Sequence, residues 1–219
     1  MSERASKTCE AGKPSGQQIF VVDDDDAQRD SLVWLLESHG HAVGAFSSAE
    51  DFLAAWDGNS AGCLLLDVRM PGMSGLELFE ELARRHCPLP VILITGHGDV
   101  AMAVAALKKG AADFVEKPFS AEEMLETVTH CLTRESEERE HRRAQADTAQ
   151  RLAQLTRREH EVLDLITAGK LNKQIADVLG ISIKTVEVHR ARVMEKMGVS
   201  TLASLIRRIV SAELRETQG

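Results

Sequence analysis

Residues 63–82 read CLLLDVRMPGMSGLELFEEL, and this stretch decides the fold of the first half of the chain. An apolar run ends at Asp67, a loop containing Pro71 and Gly72 follows, and apolar residues then recur at helical spacing. A short, wholly apolar run that precedes an amphipathic helix is typical of a strand in a parallel sheet covered by helices on both faces. The stretch therefore predicts one strand–helix unit of an α/β domain.

Four more short apolar runs lie between residues 17 and 133, and amphipathic helical patterns separate them. The runs are Ile19–Val22, Ala42–Phe46, Val91–Ile94 and Phe114–Val115. This alternation predicts a parallel sheet with helices on both faces, formed by residues 17–133. The polar residues 1–16 before it are expected to form a disordered tail.

Chemically active side chains lie within two residues after the ends of four of the five runs. They are the acidic stretch that begins with Asp23 and Asp24, then Asp67, Thr95 and Lys117. Each alone is commonplace, since an aspartate after a strand is usually a solvated turn or a helix cap. In a parallel sheet, however, ligands gather at the carboxyl ends of the strands. Oxygen ligands there suit Mg²⁺, and a carboxylate beside a lysine can accept a phosphoryl group.

Three stretches in this order resemble the receiver domain of two-component response regulators: VVDDDDAQRDSLVWLLESHG (21–40), CLLLDVRMPGMSGLELFEEL (63–82) and VILITGHGDVAMAVAALKKGAADFVEKPF (91–119). The resemblance implies a flavodoxin-like fold, with a parallel five-stranded sheet in the order 2-1-3-4-5. It also implies a cis peptide bond between Lys117 and Pro118.

The same resemblance implies a role for each residue at the strand ends. Asp67 is the expected phosphoacceptor. Mg²⁺ is expected to bind the carboxylates of Asp23, Asp24 and Asp67 and the backbone carbonyl of Arg69. Thr95 and Lys117 match the hydroxyl and the lysine that contact the phosphoryl group, and Phe114 occupies the aromatic switch position. Phosphorylation is expected to repack the helix at residues 100–109 into a homodimer face.

Charge divides the chain into three parts. Residues 1–133 carry 10 basic and 21 acidic side chains, residues 134–151 carry 5 of each, and residues 152–219 carry 11 basic and 8 acidic ones. The middle segment alternates acids with bases and lacks Pro and Gly, which predicts a charged helical linker. It is either a helical spacer only, or a segment that transmits a signal or helps the chain dimerise. The basic excess at the C-terminus is compatible with nucleic acid but too small to prove binding.

Residues 152–219 show helical spacing throughout. Thr156 and Glu159 form a capping-box pattern, Gly180 ends a short helix, and Ser182 precedes a longer one from about 183 to 197. Two short helices joined by a tight turn predict a helix-turn-helix, although small helical bundles share the pattern. A last helix, at 200–213, is expected to turn Leu202, Leu205, Ile206 and Ile209 inward.

The stretch LTRREHEVLDLITAGKLNKQIADVLGISIKTVEVHRARVMEKMGVST (155–201) closely resembles the LuxR-type DNA-binding domain, and the whole chain resembles the FixJ subfamily of response regulators. The resemblance implies that the helix at 183–197 enters the major groove of DNA. Base edges are expected near Glu187, Val188 and Ala191. Candidates for phosphate contacts are Lys173, Lys184, Thr185, Arg190 and Arg192; Arg190 could instead pack its stem over the apolar stripe.

These patterns predict a phosphorylation-activated transcription regulator rather than an enzyme. Its expected partners are a sensor histidine kinase, double-stranded promoter DNA, RNA polymerase and a second copy of the chain. A phosphorelay component whose last domain binds protein is the alternative. The absence of an apolar run of about 20 residues predicts no membrane span. Four scattered cysteines without a C-x-x-C motif suggest reduced thiols in a cytoplasmic protein.

Overall fold

A computed structural model describes residues 16–58, 60–96 and 100–213 of the chain. The predicted disordered tail lies almost entirely outside the described residues. The first part is built on five parallel strands, and their order is β2-β1-β3-β4-β5, which confirms the expected topology. The strands are β1 (Gln18–Val22), β2 (Ala42–Phe46), β3 (Gly62–Asp67), β4 (Val91–Thr95) and β5 (Asp113–Glu116).

Helices cover both faces of this sheet, as the apolar strands require. They are α1 (Asp26–Ser38), α2 (Ala49–Ala55), α3 (Gly75–Arg84), α4 (Val100–Lys108) and α5 (Ala121–Leu152). Alternate residues of β3 enter two different cores. Leu64 and Leu66 pack with residues of α2 and α3, whereas Cys63 and Leu65 pack with residues of α1 and α5.

The helix α5 is one unbroken helix of 32 residues that contains the whole predicted linker, 134–151. The described chain divides into two compact units, and the division falls inside α5, after Glu138. No helix among the described residues, α5 included, is long and apolar enough to cross a membrane.

In the second unit, the end of α5 is followed by α6 (Arg157–Thr167), α7 (Asn172–Leu179), α8 (Ile183–Met197) and α9 (Leu202–Glu213). The expected caps are confirmed: Thr156 and Glu159 form a capping box, and Ser182 accepts from the Thr185 N–H at the start of α8. Gly180 ends α7 in the left-handed conformation that glycine adopts without strain. This gives α7 and α8 the tight turn of a helix-turn-helix.

The end of α5 belongs structurally to this second unit. Thr148 is buried, and Asp147 forms ion pairs with Arg151 at 2.8 Å and with Arg208 of α9 at 3.0 Å. The Arg151 Nη1 also donates to the carbonyl of Lys196, near the end of α8. The charged residues of the linker predicted a helix exposed to solvent. Two of them, Asp147 and Arg151, instead form contacts with α9 and α8.

The prediction for α9 is half wrong. Leu205 and Ile209 are buried, but Leu202 and Ile206 are 40% and 37% exposed. The rest of this small unit covers only one side of α9. That side has room for Leu205 and Ile209 but not for all four apolar residues. Leu202, Ile206 and Val210 therefore form an exposed row at helical spacing.

Candidate functional site

The carboxyl ends of β1, β3, β4 and β5 bring the predicted residues to one edge of the sheet. Asp23 directly follows β1, Asp67 ends β3, Thr95 ends β4, and Lys117 directly follows β5. The Lys117 backbone N–H donates to the carbonyl of Thr95 at 2.7 Å, which joins the ends of β4 and β5. The Lys117–Pro118 peptide bond is cis, as the resemblance implies.

The centre of this edge is a lysine between two carboxylates. The Lys117 ammonium donates to Asp67 Oδ1 and lies 3.6 Å from Asp23 Oδ2. Asp23 and Asp67 are both buried, whereas about a quarter of the lysine side chain is exposed. Two buried carboxylates that share one ammonium leave an excess of negative charge, so the site attracts a further cation.

Asp23 is held in place by residues at the start of the following helix, α1. Its Oδ1 accepts from the Asp25 N–H at 2.9 Å, and its Oδ2 accepts from Gln28 Nε2 at 2.6 Å. Burial raises the pKa of the Asp23 carboxyl, and the charges of Asp67 and Asp24 act in the same direction, against the Asp25 N–H and the Lys117 ammonium. Asp24 itself is exposed, and the Asp25 side chain caps the start of α1.

Asp67 is held through its backbone and its side chain. Its Oδ2 accepts from the Arg69 N–H at 2.9 Å. At the start of α3, a Cβ atom on Gly75 would lie only 2.0 Å from the Asp67 carbonyl oxygen, so only glycine fits there without a shift of the backbone. Ser74 and Glu77 form a capping box around the same turn. The start of α3 therefore lies directly against the backbone of the predicted phosphoacceptor.

The two predicted switch residues lie on the β4–β5 side of the edge. The buried Thr95 hydroxyl donates to the Gly96 carbonyl at 3.3 Å. Phe114 on β5 is half-buried against the core cluster that contains Leu93. Both are thus near the end of the sheet, and Phe114 packs on one of its faces.

Among the described residues, no three His, Cys, Asp or Glu side chains converge closely enough to hold a metal ion by themselves. Mg²⁺ needs fewer protein ligands than that, because it usually binds through one or two carboxylates and keeps several waters. Two buried carboxylates with a third one exposed beside them form an all-oxygen donor set of this kind. The residues present fit a magnesium ion.

The helix α8 presents a second candidate site. Lys184, Glu187, Val188, Ala191 and Arg192 are exposed, and their spacing places them on neighbouring turns. Lys173 on α7 is exposed as well. Two of the residues predicted to contact DNA phosphates already have a side-chain partner in the second unit. The Thr185 and Ser182 hydroxyls are hydrogen-bonded at 2.8 Å, and Arg190 Nη1 donates to Asn172 Oδ1 at 3.0 Å.

Two residues that hold the site in place, and one ion pair that stabilises the second unit, were not predicted from the sequence. Gln28 bonds to Asp23, Gly75 contacts the Asp67 backbone, and Lys196 pairs with the buried Glu159 at 2.6 Å. Gln28 could have been found, because the first turn of α1 begins where β1 ends. The other two contacts join separate elements, and no local sequence pattern indicates them.

Comparison with known proteins identifies the family of both parts of the chain. The family profile of the response regulator receiver domain matches residues 19–129, and that of bacterial regulatory proteins of the luxR family matches residues 153–209. The transcriptional regulatory protein FixJ of Azorhizobium caulinodans is 48% identical over 194 residues, which is 89% of this chain and 92% of the relative. The transcriptional regulatory protein TdiR of Thauera aromatica is 43% identical, over 86% of this chain and 83% of the relative.

A solved structure has the same fold. The low-resolution structure of the response regulator StyR superposes with a TM-score of 0.80 at 43% identity, over 88% of this chain and 98% of that one.

Proposed function

Because the chain belongs to the FixJ-like response regulators, which join a receiver domain to a LuxR-type DNA-binding domain, we propose that phosphoryl transfer to Asp67 controls its binding to promoter DNA. Such a chain is a DNA-binding transcription regulator of a two-component system. The observation that carries the proposal is the convergence of Asp23, Asp67 and Lys117 at one edge of the sheet.

In the proposed reaction, the phosphoryl donor is a phosphohistidine of a sensor kinase. A carboxylate oxygen of Asp67 attacks the phosphorus, the phosphorus–nitrogen bond breaks, and the histidine of the kinase regains its electron pair. Lys117 remains beside the new acyl phosphate as a counter-charge. Asp23, Asp24, Asp67 and the Arg69 carbonyl would hold Mg²⁺, which when bound supplies positive charge against the phosphoryl oxygens.

The proposed output follows from the charge that this reaction adds. A phosphoryl group brings about 1.5 to 2 negative charges and three acceptor oxygens to the edge of the sheet. The Thr95 hydroxyl then bonds to one of these oxygens, and Phe114 moves into the space released. The helix α4 repacks, and the surface at residues 100–109 pairs with a second copy. A dimer engages two half-sites of an operator at once, which raises the apparent affinity.

The alternative, a last domain that binds protein, is less well supported. The second domain matches a family of bacterial regulatory proteins, and its exposed α8 face carries Lys184 and Arg192. The proposed role places the protein in the cytoplasm, where promoter DNA and RNA polymerase are found.

Light scattering on the full chain during size-exclusion chromatography tests the proposal. We expect a monomer that becomes a dimer when Mg²⁺ and acetyl phosphate are added, and a gel shift on a selected palindromic DNA that strengthens in parallel. DNA binding that never responds to the phosphodonor would contradict the proposed control. Binding to a protein partner with no sequence-specific DNA binding would support the alternative.

The exposed face of α8 gives a separate prediction. Arg192→Ala should weaken binding about equally on all DNA sequences, since one phosphate contact is lost. The negative slope of log K against log salt should become smaller in magnitude by about 1. Val188→Ala should instead reduce discrimination between sequences, because an apolar contact with a base edge carries sequence information. Fluorescence anisotropy at several salt concentrations measures both quantities.

The matched control is Arg157→Ala, which removes the same charge from a fully exposed position at the start of α6. We expect its salt slope to equal that of the wild type. Equal slopes for all three variants and the wild type would show that α8 does not face the DNA.

A further inference from the structure

Two buried thiols meet inside the first unit, away from the phosphoacceptor edge. Cys63 at the start of β3 is fully buried, and Cys131 on α5 is 5% exposed. Both belong to the core between the sheet and helices α1 and α5. The two thiols are near enough to interact with each other, and neither has a part in the proposed phosphoryl transfer.

The two thiols differ in access. Cys131 lines a partly open cavity of about 340 Å³, whereas Cys63 does not line this cavity. The same cavity is lined by the third described cysteine, Cys87, and by His130 and Arg134. All three described cysteines are free thiols, and Cys9 lies outside the described residues. A small polar reagent that enters the cavity therefore reaches Cys131 before Cys63.

The surroundings also distinguish the thiols chemically. The hydrogen bond from Cys63 lowers the pKa of the Cys131 thiol, and the Arg134 charge acts in the same direction, against burial and the charges of Asp113 and Glu135. The pKa of Cys63 is raised well above its usual range by that hydrogen bond and by burial. Burial also raises the pKa of Cys87. Since the thiolate is the reactive form, the lowered pKa of Cys131 acts in the same direction as its access from the cavity.

We propose that Cys63 and Cys131 are a peroxide-sensitive pair, in which Cys131 is oxidised first and Cys63 then closes a disulfide between β3 and α5. The Cys131 thiolate attacks one oxygen of a hydroperoxide, so that the O–O bond breaks, a sulfenic acid forms, and the second oxygen leaves as hydroxide or alkoxide and takes up a proton. Cys63 then attacks the Cys131 sulfur: the S–S bond forms, the S–O bond breaks, and hydroxide leaves with the Cys63 proton as water.

In balance, two thiols are oxidised and one peroxide is reduced to two molecules of water, or to water and an alcohol. A thiol reductant reverses the change by exchange. Transient disulfides of this kind are the usual form of redox control in a reducing compartment. The inference does not rest on the proposed role of Asp67.

The test uses the full-length, fully reduced chain and hydrogen peroxide as the probe. After exposure, the remaining thiols are alkylated, and the intact mass and the proteolytic peptides are measured. We expect the loss of two hydrogen atoms, one linked peptide pair that contains Cys63 and Cys131, and full recovery with dithiothreitol. We expect Cys131 to lose its reactivity towards the alkylating agent roughly tenfold faster than Cys87.

Three variants assign the roles of the thiols. Cys87→Ser is the matched control, since it removes a thiol from the same cavity, and its disulfide should form as in the wild type. Cys131→Ser should leave Cys63 in the thiol form. Cys63→Ala should stop the reaction at Cys131, with the gain of one oxygen atom and a dimedone adduct. Circular dichroism confirms the fold of each variant, and the peptide map of the wild type does not depend on any variant folding.

Two results would overturn the proposal. One is a wild-type chain whose thiols all stay alkylatable after peroxide has oxidised free cysteine in the same tube. The other is a disulfide that joins either thiol to Cys87 or Cys9 in place of the pair.

Discussion

Asp67→Asn is expected to abolish every response of the chain to a phosphodonor. The amide keeps the shape of the side chain and can still accept from the Arg69 N–H, which bonds to Asp67 Oδ2 in the structure. It cannot form an acyl phosphate, because an amide oxygen is a poor nucleophile at phosphorus. In the wild type, acetyl phosphate with Mg²⁺ should raise the affinity for operator DNA by about 5- to 150-fold, the usual range of coupling between two sites. In the variant the ratio should be one.

Asp30→Asn is the matched control for this experiment. It removes one carboxylate from the exposed side of α1, in the same unit and with the same chemical change. We expect a full response to the phosphodonor, measured by DNA affinity and by the mass of the acyl phosphate. A phosphodonor response that persists in Asp67→Asn would place the acceptor on a different side chain.

Glu159→Gln is expected to destabilise the second unit by roughly 2–3 kcal/mol. The Glu159 carboxylate is buried, accepts from the Thr156 N–H at 2.8 Å and pairs with the Lys196 ammonium at 2.6 Å. Breaking a buried pair costs roughly 3–5 kcal/mol when the remaining charge stays dry. About a third of the Lys196 side chain is exposed, so water recovers part of that loss. Chemical denaturation followed by far-ultraviolet circular dichroism measures the effect.

Glu161→Gln is the control, because Glu161 lies on the same helix and, among the described residues, pairs only with Arg157 and Arg158, which are both largely exposed. Surface pairs of this kind contribute little, so we expect a change of at most about 0.5 kcal/mol. Both tryptophans, Trp34 and Trp56, lie in the first unit, so the transition seen by tryptophan fluorescence should not move in either variant. A shift of that transition would show that the substitution acts outside the second unit.

The same pair predicts a dependence on pH. The hydrogen bond from Lys196, followed by that from the Thr156 N–H, lowers the pKa of Glu159 from 4.5 to about 2. A lowered pKa in the folded state means that ionised Glu159 stabilises the fold above pH 4.5 and that this contribution is lost as the pH falls towards 2. The second unit of the wild type should lose stability across this window, and Glu159→Gln should lose less.

The sequence predicted the sheet and the convergence of four side chains at one of its edges, because both depend on local patterns. Four separate apolar runs end in Asp23, Asp67, Thr95 and Lys117, and a parallel sheet brings such ends together whatever the loops between them do. The capping residues were equally accessible, since a cap and its helix are adjacent in the chain.

The remaining features depend on contacts between distant residues. The alternating charges of the linker indicated a solvated helix, yet Asp147 and Arg151 bind α9 and the end of α8. Leu202 and Ile206 have the spacing of core residues and are exposed, because how much of a helix is covered depends on its neighbours. The thiol contact between Cys63 and Cys131 joins β3 to α5, and nothing in either local sequence indicates the other.

The glycine at the start of α3 has a consequence for how such a regulator evolves. Gly75 leaves no room between α3 and the carbonyl of Asp67, and β3 is paired on both sides, with β1 and β4, so the backbone of Asp67 is set in a rigid frame. The Thr95 hydroxyl makes one hydrogen bond of 3.3 Å, to the neighbouring Gly96 carbonyl, and Phe114 is half-buried. Under the proposed function, substitutions at Phe114 would therefore alter the response without moving the backbone of Asp67, so the response could change in evolution while the phosphoacceptor stays in place.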